Sequence, residues 1–220
     1  MSGDKPNPPV WGSALILAVL AAVCTALVAV TQRTAAPRIA ANEQAWLEQS
    51  LAPVLAGLSY DGKLSESTLI IPTPHTLPGN EAVSVYRVFA GDQPVAALFV
   101  VTARDGFTGP IKLLVGVAAS GALTGVRVLE HQETPGLGDL IDSSRSDWIL
   151  QFSGRSLVDP DVSRWAIRSD GGEFDQLTGA SITPRAVVKA IKETLLYFDT
   201  HRSEVFARSG EKADAGTEQE

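Results

Sequence analysis

From Val10 to Val30 the chain reads VWGSALILAVLAAVCTALVAV, twenty-one residues without a charge. An α-helix rises about 1.5 Å per residue, so this run makes roughly 30 Å of helix, enough to cross the hydrocarbon core of a bilayer. One segment is thereby assigned to lipid, and the rest must fold around a core of its own. A cleaved signal peptide has a shorter apolar core and a small-x-small cleavage site, and no such site closes this run. Leu20-Ala21-Ala22-Val23-Cys24 approaches a lipoprotein box, but Val23 is bulky for the position before the cysteine. The sequence therefore predicts a tail over 1–9 and an uncleaved single span over 10–31, with Trp11 as an interfacial anchor. Lys5 precedes the span while Arg33 and Arg38 follow it, so positive charge does not set its orientation.

Beyond the span, residues 32–207 read as one domain, because no Pro/Gly/Ser-rich linker divides them. Ala40 to Leu58, interrupted by Pro53, predicts a short connecting helix carrying Trp46, Leu47 and Leu51 toward the domain. Four apolar runs follow, Val83–Phe89, Val95–Thr102, Ile111–Ala118 and Leu123–Leu129, separated by turns at Gly91-Asp92, Asp105-Gly106 and Ser120-Gly121. Short apolar runs with such punctuation predict an antiparallel meander. The first run alternates imperfectly, as a strand buried on both faces does. Near the C-terminus Val187, Val188, Ile191, Leu195 and Phe198 recur at helical steps. Pro184 predicts the first helical residue, with Thr183 as its N-cap. Residues 208–220 are polar and read as a disordered tail. The fold class is α+β, one transmembrane helix followed by an antiparallel sheet with flanking helices.

A net charge of −7 argues against the basic patch that nucleic-acid binding needs. Cys24 is the only cysteine and sits in the apolar run, so an internal disulfide, a cysteine-ligated iron–sulfur cluster and the usual structural zinc site are excluded. Any redox role must come from an organic cofactor. His75, His131 and His201 are scattered, and His131-x-Glu133 lacks a third metal ligand at sensible spacing. Ser144 and Ser146 have no histidine placed to activate them, and Trp148 and Trp165 read as core aromatics.

Three segments are built for close approach to a ligand. Asp175-Gln176-Leu177-Thr178-Gly179-Ala180-Ser181-Ile182-Thr183-Pro184 places hydroxyls before a helix N-terminus, where free N–H groups and the dipole favour an anion. On spacing alone the simpler reading is an ordinary capped helix after a small-residue turn. Gly106-Phe107-Thr108-Gly109-Pro110-Ile111-Lys112 combines permissive glycines with Lys112, a cation for a phosphate, or else a solvated lysine beside a hairpin turn. In His131-Gln132-Glu133-Thr134-Pro135-Gly136-Leu137-Gly138-Asp139, Gly136 and Gly138 flank Leu137 so that backbone N–H groups can face a ligand.

The first of these segments resembles the flavinylation motif Asp-x-x-Ser/Thr-Gly-Ala-Thr, in which the last hydroxyl carries FMN as a phosphoester. That motif marks the FMN-binding domain shared by the G subunit of the Rnf (Rsx) electron transport complex and the C subunit of the sodium-pumping NADH:quinone reductase. Asp175 stands at the motif's acid, Thr178-Gly179-Ala180 at its centre and Ser181 at the acceptor, where the family usually has Thr. Thr183 and Thr178 are the fallback hydroxyls. The Glu133–Asp139 loop resembles the family's Glu-Thr-Pro-Gly-Leu-Gly element beside the isoalloxazine ring. The resemblance implies a flavin covered by Thr134, Gly136, Leu137 and Gly138, with Lys112 nearby and the phosphate on Ser181.

It further implies a membrane-anchored electron carrier in the bacterial inner membrane, with its domain on the periplasmic side. Such a carrier works beside iron–sulfur and integral-membrane subunits in a complex that couples electron transfer to ion translocation. A flavin transferase would mature it, and membrane lipid would surround its anchor. The motif wording is nearer to the Rnf protein than to its quinone-reductase counterpart. The chain has neither a dinucleotide fingerprint nor a substrate base, so NADH oxidation would fall to other subunits. Two further classes compete: a non-redox membrane-tethered binding domain, and a free-standing flavin reductase.

Overall fold

The computed structural model describes residues 11–12, 14–27, 29, 32, 51, 53–55 and 68–207. The expected tails 1–9 and 208–220, parts of the span, and most of the connecting helix with Trp46 and Leu47 lie outside the described residues. The chain divides into two units, Met1–Leu47 and Glu48–Glu220. In the first, residues 11–12, 14–27, 29 and 32 are helical and exposed, Leu15, Ile16 and Leu17 among them. Among the described residues no helix is long and apolar enough to cross a membrane. A span over 10–31 also takes in residues that are not described.

The second unit is built on a five-stranded sheet: β1 (Thr68–Ile71), β2 (Val83–Ala90), β3 (Gln93–Ala103), β4 (Ile111–Ala118) and β5 (Leu123–Glu130). Each strand pairs antiparallel with the next, so the spatial order equals the chain order. The four expected strands are present, three of them a little longer than their apolar runs. The additional strand, β1, is a four-residue edge that pairs with β2 through Thr68↔Tyr86 to Ile71↔Val83.

Alternation sends two sets of side chains to opposite faces. On one face Val85, Phe99, Val101, Leu113 and Val115 are buried under α1 (Ile182–Phe206), which packs mainly on β3. Phe99 meets Phe198 edge to face, with centroids 6.1 Å apart. On the other face Ala96, Leu98 and Leu114 are also fully buried. Gly116 and Gly125 sit opposite each other in β4 and β5 and leave a dip in that face, where Val54 packs. β2 is buried on one side and half-buried on the other at Ser84 and Tyr86. Its Arg87 donates to the Ala207 carbonyl just past α1, where a cation suits the negative end of the helix dipole.

Between β5 and α1 the chain forms short 3₁₀ helices at Gly138–Ile141, Trp148–Phe152, Val162–Arg164 and Arg168–Asp170. An aromatic cluster holds them together, because none is long enough to be stable alone. Phe174 lies 4.7 Å, centroid to centroid, from both Phe152 and Trp165, and Trp148 meets Phe152 at 5.3 Å. Trp148 and Trp165 are therefore core aromatics, as expected.

α1 starts earlier than the sequence suggests. Ser181 is the N-cap, and Thr183 and Pro184 lie inside the first turn. Proline is harmless there because the first-turn N–H groups have no intrahelical acceptor. The helix bends at His201, whose φ of −115° and ψ of 20° are not helical.

Candidate functional site

Three loops at one end of the sheet build the site: residues 104–110 between β3 and β4, 131–137 after β5, and the elbow 175–181 before α1. The elbow hangs from the aromatic cluster. Trp148 Nε1 donates to the Asp175 carbonyl at 2.7 Å, and the Asp175 N–H donates to Gln151 Oε1 at 2.8 Å. Leu177 is buried and its carbonyl accepts from the Ala180 N–H at 3.1 Å, closing a tight turn. The turn needs Gly179, whose φ is +81°, a conformation that side-chain-bearing residues avoid.

Ser181 leaves this turn exposed, with φ −78° and ψ −23°, and its side chain makes no capping hydrogen bond. The hydroxyl is thus not spent on the helix. Thr183 differs sharply. It is fully buried and its hydroxyl donates to Glu133 Oε2. Thr178 is exposed.

Phe107, Thr134, Leu137, Gly179, Ala180, Ser181, Ile182 and Thr183 line a small open cleft of about 100 Å³. Six of the sequence-predicted residues meet there: Thr134, Leu137, Gly179, Ala180, Ser181 and Thr183. Phe107 and Ile182 join them without having been singled out. Phe107 is 66% exposed, Leu137 42% and Ile182 45%, so the cleft carries an apolar rim open to solvent. Large apolar side chains gathered in the open are an unfavourable surface unless something lies on them.

The remaining predicted residues stand apart from the cleft. Asp175 pairs with Arg168 at 2.8 Å, both more than half exposed. Lys112 lines a separate hollow of about 380 Å³ with Arg104, Thr102 and Ser84, on the sheet face away from α1. Gly136 is exposed, with φ +77°. Gly138 is buried beneath Glu133, where a Cβ would lie 2.8 Å from Oε2. The expectation that amides around Leu137 face a ligand is corrected. The N–H groups of Leu137, Gly138 and Asp139 all turn inward to the Thr134 carbonyl at 3.2, 3.1 and 3.4 Å. The Gly136 N–H donates to Asp139 Oδ1 at 2.7 Å. This loop meets the cleft with side chains instead.

Glu133 is the residue whose role sequence reasoning passes over, weighing it as a metal ligand beside His131 and as the opening residue of a loop motif. His131 Nδ1 instead accepts the Glu133 N–H at 3.2 Å, and the carboxylate turns away to Thr183 and Thr108. Nothing local in the sequence reveals a pairing fifty residues apart. Beside it, Lys189 of α1 donates to Asp105 Oδ2 at 2.6 Å, a second tie between the 104–110 loop and the helix. That hydrogen bond, and then the ammonium charge, holds the Asp105 carboxyl below its ordinary pKa and raises that of Lys189.

Residues 106–196, which contain all the cleft-lining positions, match the family model of the FMN-binding domain, and residues 1–54 match the RnfG N-terminal region. Similar curated proteins are named as the G subunit of the ion-translocating oxidoreductase complex. That of Shewanella oneidensis is 40% identical, with 92% of this chain and 95% of the relative covered. The Vibrio vulnificus protein is 42% identical, covering 87% and 90% respectively. The Pseudoalteromonas atlantica protein is 39% identical over 90% and 92%.

Proposed function

The chain belongs to the family of the ion-translocating oxidoreductase complex's G subunit, and from that premise we propose that it is the complex's membrane-anchored electron carrier, holding FMN as a phosphoester on Ser181. The observation that carries this reading is the Ser181 hydroxyl itself, exposed, unspent on capping and set in a cleft rimmed by exposed Phe107, Leu137 and Ile182. The residues present fit the group. A phosphate on Ser181 would meet the first-turn N–H groups of Ile182 and Thr183 and the positive end of α1. Phe107, Leu137 and Ile182 supply the apolar contact that a planar ring needs.

The cleft size supports a covalent mode of holding. Sites that enclose ligands usually measure about 300–1,000 Å³, and this one has about 100 Å³. Such a cleft cannot retain a flavin by burial, and a covalent bond removes the need. Bound FMN supplies transfer of one or two electrons, and the protein supplies its position and surroundings. Ser181 fixes the phosphate, the elbow orients it through Gly179, and the apolar rim keeps water from one side of the ring. Thr134, which lines the cleft, would offer the group a hydroxyl.

The uncharged run at 10–30 and the family match over residues 1–54 support a single-span anchor in the bacterial inner membrane. The domain then stands on the periplasmic side, beside iron–sulfur and integral-membrane subunits, after a flavin transferase has matured it. Anchoring makes encounters with these partners effectively intramolecular. Ion translocation and NADH chemistry belong to those partners.

The test is intact-mass measurement after co-expression with a flavin transferase. A single FMN adduct is expected, lost in Ser181→Ala and kept in Ser181→Thr. Adduct remaining on Ser181→Ala refutes the assignment and turns attention to Thr178, because the Thr183 hydroxyl is buried against Glu133. Unlabelled wild-type protein refutes the flavin reading as a whole.

A further inference from the structure

One buried carboxylate joins two of the site's loops to the first turn of α1. Glu133 is 4% exposed, and among the described residues only Asp139 shares that status for a carboxylate. Asp139 stays close to home, accepting from Gly136 and lying 3.8 Å from Arg145. Glu133 reaches outward. Its Oε1 accepts the Thr108 N–H at 3.0 Å, and its Oε2 accepts the Thr183 hydroxyl. No cation lies within ion-pair distance of it among the described residues. A buried carboxylate without a counter-charge persists only where hydrogen bonds replace its lost hydration.

The chain clears space for this arrangement. A Cβ on Gly106 would stand 2.9 Å from Oε1, and one on Gly138 would stand 2.8 Å from Oε2. Gly138 is a seat for the carboxylate, whereas Gly106 is required first by its own loop, where the Gly109 carbonyl would lie 2.1 Å from a Cβ, and only then by Oε1.

We propose that Glu133 is a positioning residue for flavin attachment: it latches the Phe107 loop and the first turn of α1 to the Leu137 loop, and so holds the Ser181 hydroxyl in its cleft. The proposal rests on the flavin reading above, in which the transferase brings a flavin dinucleotide: the Ser181 Oγ–P bond would form as the pyrophosphate P–O bond breaks, the nucleoside monophosphate leaves and the hydroxyl proton passes to solvent. Thr183 lies two positions beyond Ser181 in the same turn, so its bond to Glu133 fixes the register of the acceptor against Leu137. Thr108 follows Phe107, so the second bond fixes the opposite wall. Release of the carboxylate lets both walls drift while the aromatic cluster and α1 stay packed.

The experiment follows Ser181 labelling of the full chain by flavin transferase over time, by intact mass, for wild type, Glu133→Gln, Thr183→Val and Thr183→Ser. Thr183→Val and Glu133→Gln should label about tenfold more slowly, in keeping with the cost of misplaced reacting groups. The loss should fall on kcat more than on KM, and the attached flavin should show lower fluorescence anisotropy. Thr183→Ser keeps the donor and should recover most of the rate. Should Glu133→Gln fail to fold, Thr183→Val, which keeps the side chain's shape, carries the test. Wild-type rate and anisotropy in Thr183→Val overturn the proposal, as does a slow rate that Thr183→Ser does not restore. If wild type takes no label, the flavin reading fails instead. Hydrogen exchange of the Thr108 amide in unlabelled protein then decides the latch: faster exchange in Thr183→Val supports it, and unchanged exchange overturns it.

Discussion

Val54 and the two glycines beneath it give a sharp test of how the sheet's second face is closed. A methyl at Gly116 would stand 2.3 Å from Val54 Cγ1, 2.3 Å from Thr124 Oγ1 and 3.2 Å from Leu98 Cδ2. Thr124 can rotate its hydroxyl away, but Val54 is fully buried and cannot yield without lifting its segment. Gly116→Ala should therefore cost about 1–3 kcal/mol, the usual range for overpacking a filled site. Val54→Ala removes two buried methyl groups and should cost about 2 kcal/mol from transfer and cavity together. In the double variant the new methyl occupies the space that Val54 vacates. The two losses should then fall short of their sum by about 1–2 kcal/mol, a coupling expected only of residues in contact. Urea denaturation of the four proteins, read by tryptophan fluorescence, measures the cycle. Additive losses, within about 0.5 kcal/mol, would show that Val54 does not rest on Gly116 and would sink the account of that face.

Two further outcomes follow from the site's supports. Trp148→Phe keeps the stacked aromatic cluster but removes the donor to the Asp175 carbonyl, at 2.7 Å. It should cost about 1 kcal/mol in urea and slow Ser181 labelling, and unchanged labelling would detach the elbow from the aromatic core. Asp105→Asn tests the Lys189 tie. The folded state depresses the Asp105 pKa, chiefly through the hydrogen bond from Lys189. The stability it contributes is complete above the unfolded carboxylate value and disappears as pH falls through the lower folded value. Both side chains are more than half exposed, so the gap between wild type and variant at neutral pH should be only a few tenths of a kcal/mol. That gap should close in acid, and a gap that widens as pH falls would contradict the tie.

What can be read from the sequence follows the reach of its local signals. Strands β2 to β5 announce themselves because Gly turns punctuate short apolar runs, and α1 because its stripe repeats at helical spacing. β1 escapes because Thr68–Ile71 is a four-residue edge ahead of a proline-rich turn, too short for a pattern. The 3₁₀ helices escape because aromatic packing and side-chain bonds to the backbone hold them, and neither has a period. In the site, Thr134, Leu137 and the Gly179–Ser181 elbow emerge from motif wording, whereas Glu133 opens the same wording without its role showing. Its meaning depends on Thr108 and Thr183, which the chain brings to it from 25 positions before and 50 after. Lys112 misleads for a related reason. Proximity to the Gly106–Pro110 loop suggests a shared site, but strand pleating turns its side chain to the other face of the sheet.

The shallowness of the Ser181 cleft has a bearing on selectivity. A redox ring held on Ser181, as proposed, would rest on an open shelf and could trade electrons with any collider, dissolved oxygen included, because nothing among the described residues covers the cleft. Choice among donors must then come from address instead of shape. On the proposed reading, a lipid tether would limit which neighbours arrive, and a protein that never wanders could dispense with a lock.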